Sequence, residues 1–212
     1  MNKSLFSTAV FVLVVLGGVW FYLGRATPAP VVEQPIVPVV DTRQTYTNDK
    51  LGFSIKLPMG YTIDESYIYE ELGPGKSSPG VKFTIPASVA AGTNLSSDTY
   101  ISVEEIPLAN IPRGVCSAAY FVDPETTVHA VLDGDVTYSV ASSTGAAAGN
   151  RYEETVYALP DTSASRRTCI AVRYRIHYSV FENYPAGAVR EFDKAALLAQ
   201  FDTIRRMLVI AQ

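Results

Sequence analysis

The chain is poor in the residues that usually carry chemistry. Its 212 residues include two histidines, two cysteines and one tryptophan. A structural zinc site needs four Cys or His ligands at close spacing, and Cys116 and Cys169 have no histidine near them. Neither cysteine belongs to a Cys-x-x-Cys redox motif. No Gly-x-Ser-x-Gly elbow exposes a nucleophilic serine. Gly145 and Gly149 have a phosphate-loop spacing, but Ala fills the gap and no Lys follows. Basic residues are also in the minority, with 17 Lys and Arg against 21 Asp and Glu and a pI near 5.2. A phosphate-backbone binder needs a basic footprint, so no nucleic-acid partner is expected. No catalytic residue, metal or cofactor is expected either.

Charge is missing altogether from Leu5 to Leu23. Those 19 residues make a helix of roughly 28 Å, close to the ~30 Å of a bilayer's hydrocarbon core. Trp20 and Tyr22 sit at its end, where amphipathic rings favour the headgroup level. The competing reading is a cleaved signal peptide, but the apolar core is long and Gly24-Arg25-Ala26 is a poor cleavage site. No Cys follows to take a lipid. Residues 1–25 are therefore read as an uncleaved, single-pass anchor in a cytoplasmic (inner) membrane. Residues 26–44 contain Pro28, Pro30, Pro35 and Pro38 and form a Pro-rich linker, extended rather than helical. Residues 45–212 form the extracytoplasmic domain.

That domain is expected to be α+β, an antiparallel sheet backed by a C-terminal amphipathic helix and preceded by the one N-terminal transmembrane helix. Period-two alternation marks strands at Phe53–Leu57, Tyr61–Tyr69, Val81–Ile85, Tyr100–Val103, Val128–Leu132, Val136–Val140 and Tyr152–Leu159. Asp133-Gly134-Asp135 reads as a hairpin turn, and Gly145–Gly149 as a loop. Ile170, Val172, Tyr174, Ile176, Tyr178 and Val180 form the apolar face of a last, long strand. Leu197, Phe201, Ile204 and Leu208 then recur at helical spacing, with Asp193 as N-cap and Phe192 and Leu197 as a hydrophobic staple. A shorter helix is expected around Val115–Phe121. In an oxidising compartment Cys116 and Cys169 most simply form one disulfide.

The last strand also carries the candidate site. Arg173, Arg175 and His177 share the face opposite the apolar stripe, roughly 7 Å apart. Arg151 and Glu153 of the preceding strand are expected beside them. Such a basic ladder suits an anionic ligand or an envelope protein with an acidic surface, since Arg binds carboxylates and phosphates with two parallel bonds. A solvated face with cross-strand ion pairs is the alternative. The acid pairs Glu70-Glu71, Glu104-Glu105 and Glu153-Glu154 invite a glycosidase reading, but neighbours on a strand point to opposite faces.

The run from Leu51 to Tyr61, LGFSIKLPMGY, resembles the opening of PsbP/Mog1-type domains, and Phe201–Leu208, FDTIRRML, resembles their closing helix. The segments GVKFTIP, GTNLSSDTYISVE and AGNRYEETVYALP resemble uncharacterised single-span bacterial envelope proteins. The resemblance implies an accessory, partner-binding role without catalytic residues and carries over no site residues. The expected function is thus a membrane-anchored accessory or binding domain. The alternative is an envelope hydrolase using His177 or His129 as base.

Overall fold

A computed structural model describes residues 43–73, 76–161, 163 and 166–211. The expected membrane helix and most of the Pro-rich linker lie outside the described residues. Among the described residues no helix is long and apolar enough to cross a membrane.

The α+β expectation is corrected: the described chain is mainly antiparallel β-sheet, and its two α-helices are short. The strands are β1 (Gln44–Asn48), β2 (Phe53–Leu57), β3 (Thr62–Asp64), β4 (Ile68–Tyr69), β5 (Ser78–Thr84), β6 (Tyr100–Pro107), β7 (Val128–Asp133), β8 (Val136–Ala147), β9 (Asn150–Asp161), β10 (Thr168–Ser179) and β11 (Val209–Ile210). Helix α1 (Ala87–Ala90) is one turn, and α2 (Lys194–Arg205) is three. Eight strands form one sheet in the order β3-β5-β6-β10-β9-β8-β7, with β4 also on β5; β1, β2 and β11 form a second.

The C-terminal helix begins where its sequence says. Asp193 caps it by accepting from the Ala196 N–H at 2.9 Å, and Leu197, Phe201 and Ile204 are buried. Twelve residues span only about 18 Å, whereas a sheet seven strands across at ~4.8 Å spacing is roughly 29 Å wide. The second sheet supplies the missing cover. Phe53, Ile55 and Leu57 of β2 join α2 in one core with Val81, Phe83, Ile101, Val103 and the expected β10 stripe of Ile170, Val172, Tyr174 and Ile176.

The opposite face of the large sheet is also covered in part. Ala141, Ala158 and Ala171 leave it shallow, and Ile111, Ala118, Phe121 and Val122 pack into the space. The covering segment is irregular. The helix expected over Val115–Phe121 is a single 3-10 turn at Ala118–Tyr120, with Ser117 accepting from Ala119 N–H at 3.3 Å. Cys116 and Cys169 are joined as a disulfide, with Cα atoms 5.1 Å apart, and so pin this segment to β10.

Two local expectations also change. The chain over Tyr61–Tyr69 makes two short strands rather than one. Gly145–Gly149 is not a loop: β8 runs through Ala147, and Ala148 and Gly149 turn the chain with φ of 48° and 78°. Strand pairing overrides the weak β-propensity of Ala and Gly there.

Candidate functional site

Pairing in the large sheet fixes the neighbours of the basic residues. Arg173 lies between Ser102 of β6 and Val156 of β9, Arg175 between Tyr100 and Glu154, and His177 opposite Tyr152. All three basic side chains are on the disulfide-bearing face. Arg151 is not with them, because it pairs with Tyr178 and so points to the other side of the sheet. It donates to the Asn150 carbonyl at 3.0 Å. Glu153 is likewise on that other side, accepting from Tyr178 OH at 3.1 Å and pairing with Lys194.

The basic ladder is closed at its centre. Arg173 is 0% exposed. Its Nε and Nη2 donate to the two oxygens of Glu104 at 2.8 and 2.9 Å, and Nη1 donates to Glu154 at 3.1 Å. Nη2 also donates to the Phe121 carbonyl at 2.7 Å. The Tyr69 ring stacks on the guanidinium at 3.4 Å, and its hydroxyl donates to Glu154. Burial alone would lower the Arg173 pKa, but the adjacent Glu104 and Glu154 carboxylates more than offset it, so the group is held charged. Arg175 pairs with Glu154 and, at 2.7 Å, with the exposed Glu71.

Sequence reasoning missed the partners, and one signal for them was present. Along β6, Tyr100, Ser102 and Glu104 alternate onto one face, so a carboxylate facing inward was readable once β6 was placed beside β10. Ser102 Oγ also donates to Glu104 at 2.8 Å, and Tyr67 and Tyr100 share a hydroxyl hydrogen bond at 2.9 Å. Burial pushes the Tyr100 hydroxyl up to about 12. Tyr69, Glu71, Asp123, Tyr152, Glu154 and Arg175 edge a cleft of about 240 Å³. Its one cation is already paired with two carboxylates.

Neither histidine has the setting of a catalytic base. His177 Nδ1 donates to Asp98 at 2.8 Å, and its ring stacks on Tyr152 at 4.5 Å. Its Nε2 is buried without a hydrogen-bond partner among the described residues, so a substrate proton cannot reach it. His129 is exposed on β7 beside Ser139. The Ser139 hydroxyl accepts from Ala118 N–H at 3.0 Å, and among the described residues no carboxylate bonds to the His129 ring. Among the described residues no three His, Cys, Asp or Glu side chains cluster to hold a metal.

The more enclosed feature is a groove of about 460 Å³ between Leu72, Lys76 and Ser77 on one side and the covering segment on the other. Ile106, Ile111 and Val122 give it an apolar lining, with Leu72, Tyr120, Asn110 and Lys76 also along it. Among the described residues Lys76 is the only charged side chain that lines it.

No family model matches the chain, and no curated protein matches it. Among solved structures it is similar to the solution structure of cyanobacterial PsbP (CyanoP) from Synechocystis sp. PCC 6803. The identity is 14% and the TM-score 0.41, over 85% of this chain and 99% of that one.

Proposed function

We propose that residues 45–212 are a non-catalytic accessory domain that binds an apolar ligand or partner segment outside a bacterial inner membrane, held there by the segment from Leu5 to Leu23. The groove between Leu72, Lys76 and Ser77 and the covering segment carries the reading. It has the size and apolar lining of small-molecule and peptide sites, with a few polar groups to set orientation. Lys76 favours an occupant with an anionic end. The disulfide and the uncharged N-terminal run support placement outside the cytoplasm. The hydrolase alternative finds no support, since the His177 Nε2 is buried and among the described residues no acid orients His129.

The test is titration of the full chain with an environment-sensitive apolar fluorophore carrying a carboxylate. Saturable one-to-one binding is expected, weakened about tenfold by Leu72→Asp. That factor is ~1.4 kcal/mol, near the low end for losing one buried Leu contact. Binding that is absent, or unchanged in the variant, removes the groove as the site.

A further inference from the structure

The large sheet ends in two unlike edges. One is shared by β3 and β4, of three and two residues. The other is β7, of six residues, paired among the described residues only with β8. Gly134-Asp135 joins β7 to β8 as a two-residue turn, with Gly134 at φ 62°. In such a hairpin the flanking residues, Asp133 and Val136, exchange both backbone hydrogen bonds. Alternation gives Val131 and His129 the same inward bonding. The N–H and C=O groups of Val128, Ala130 and Leu132 are then directed away from β8. Among the described residues no other backbone group bonds to them.

Exposed edges are usually blunted by proline, an outward lysine or a bulge. The sequence of β7, VHAVLD, has neither residue, and its register with β8 is unbroken. Leu132 is 72% exposed, the most of any large apolar side chain among the described residues, and Val136 is exposed nearby. On the same face as Leu132, Val128 and Ala130 edge a shallow depression of about 400 Å³.

We propose that β7 pairs antiparallel with β7 of a second copy, with Ala130 on the two-fold axis. In this register five of the six residues pair within the two β7 strands, Ala130 faces Ala130, and each Leu132 faces Val128 of the other copy. Each exposed Leu132 thus lies beside the depression that Val128 and Ala130 edge. His129 and Asp133 are the only ionisable groups on the strand, and both are on its opposite face. There His129 meets Val131 and Asp133 meets Thr127, so no like charges oppose each other. Asp133 keeps its own pairs with Arg205 and Arg206 at 2.5 and 2.9 Å. A foreign strand would gain the same backbone bonds. The reciprocal Leu132–Val128 fit favours a second copy, because a closed dimer needs a self-complementary patch. A one-residue slip would turn the already bonded groups of His129 and Val131 to the interface.

The test is oxidation of the full chain in mild detergent, read on non-reducing gels. Ala130→Cys places two Cα atoms about 5.5 Å apart across the axis, within the ~4.4–6.8 Å a disulfide spans. A covalent dimer is expected from Ala130→Cys alone and from Val128→Cys mixed with Leu132→Cys, but not from Leu132→Cys alone. Light scattering should show a dimer for the unaltered chain. Ala130→Pro should give a monomer, since the N–H it removes points outward. Leu132→Lys should do the same without touching the backbone. Failure of Ala130→Cys to cross-link, self-linking of Leu132→Cys, or a dimer that survives Leu132→Lys overturns the proposal.

Discussion

Glu104→Gln should cost about 3–5 kcal/mol of unfolding free energy, the range for removing one partner of a buried ion pair. The arrangement around Arg173 puts it there. Both side chains are 0% exposed, and Glu104 accepts from both Nε and Nη2. A glutamine keeps one acceptor and turns an NH2 group toward the other nitrogen, where two donors then face each other. Glu154 would be left as the one buried carboxylate serving both Arg173 and Arg175, because Glu71 is exposed. A domain of this size has about 5–15 kcal/mol in total, so the loss is a large share of it. Urea denaturation followed by far-UV circular dichroism measures it.

Two comparisons separate buried charge from mere loss of a hydrogen bond. Glu105→Gln removes a pair with Arg166 at 2.8 Å in which each side chain is about a fifth exposed. Its cost should be ~1 kcal/mol or less. Glu104→Met combined with Arg173→Met removes both charges and leaves Glu154 to Arg175. That double variant should lose less than Glu104→Gln alone. A loss for Glu104→Gln no larger than that for Glu105→Gln would refute the reasoning.

Replacing both cysteines by serine should cost ~4 kcal/mol on the chain-entropy model for a loop of this length, and hydrogen exchange should show residues 108–124 opening first. Alkaline titration should show two waves of tyrosinate absorbance. Burial pushes Tyr100 up to about 12, as burial and Glu65 do for Tyr46, and burial raises Tyr67, Tyr69 and Tyr174 further. A raised folded pKa means the stabilisation is complete below the unfolded value near 10 and is lost as pH rises through the folded one. The second wave should therefore coincide with loss of the β-sheet signal, and a single wave near pH 10 with the fold intact would contradict it.

Much of the β-sheet was legible because alternation is local. Phe53, Ile55 and Leu57 announce a strand with one dry face, and so does the stripe from Ile170 to Ile176. The Asp193 cap was readable for the same reason, since cap and acceptor are three residues apart. What lies on each face was not legible. That β1, β2 and β11 would form a second sheet depends on Val209 and Ile210 returning to Ser54 and Phe53, a pairing over more than 150 residues. Alternation also says nothing of register between strands, so the expectation of Arg151 beside Arg173 differs from the structure by one position.

The closed centre of the basic ladder has one physical origin, and the cysteines point to it. Cys169, Ala171 and Arg173 occupy successive positions on the same face of β10. The disulfide draws Cys116 onto the first, Ala118 and Phe121 pack against the small residues around the second, and the Phe121 carbonyl accepts from Arg173 on the third. The covering segment is thus held at both ends along one strand. Excluding water there would strand a guanidinium unless carboxylates came with it, and Glu104 and Glu154 enter from the strands on either side. The disulfide therefore does more than shorten the unfolded chain. It holds down the cover that makes the Arg173–Glu104 pair a buried one, and it does so from the segment that also forms one wall of the groove.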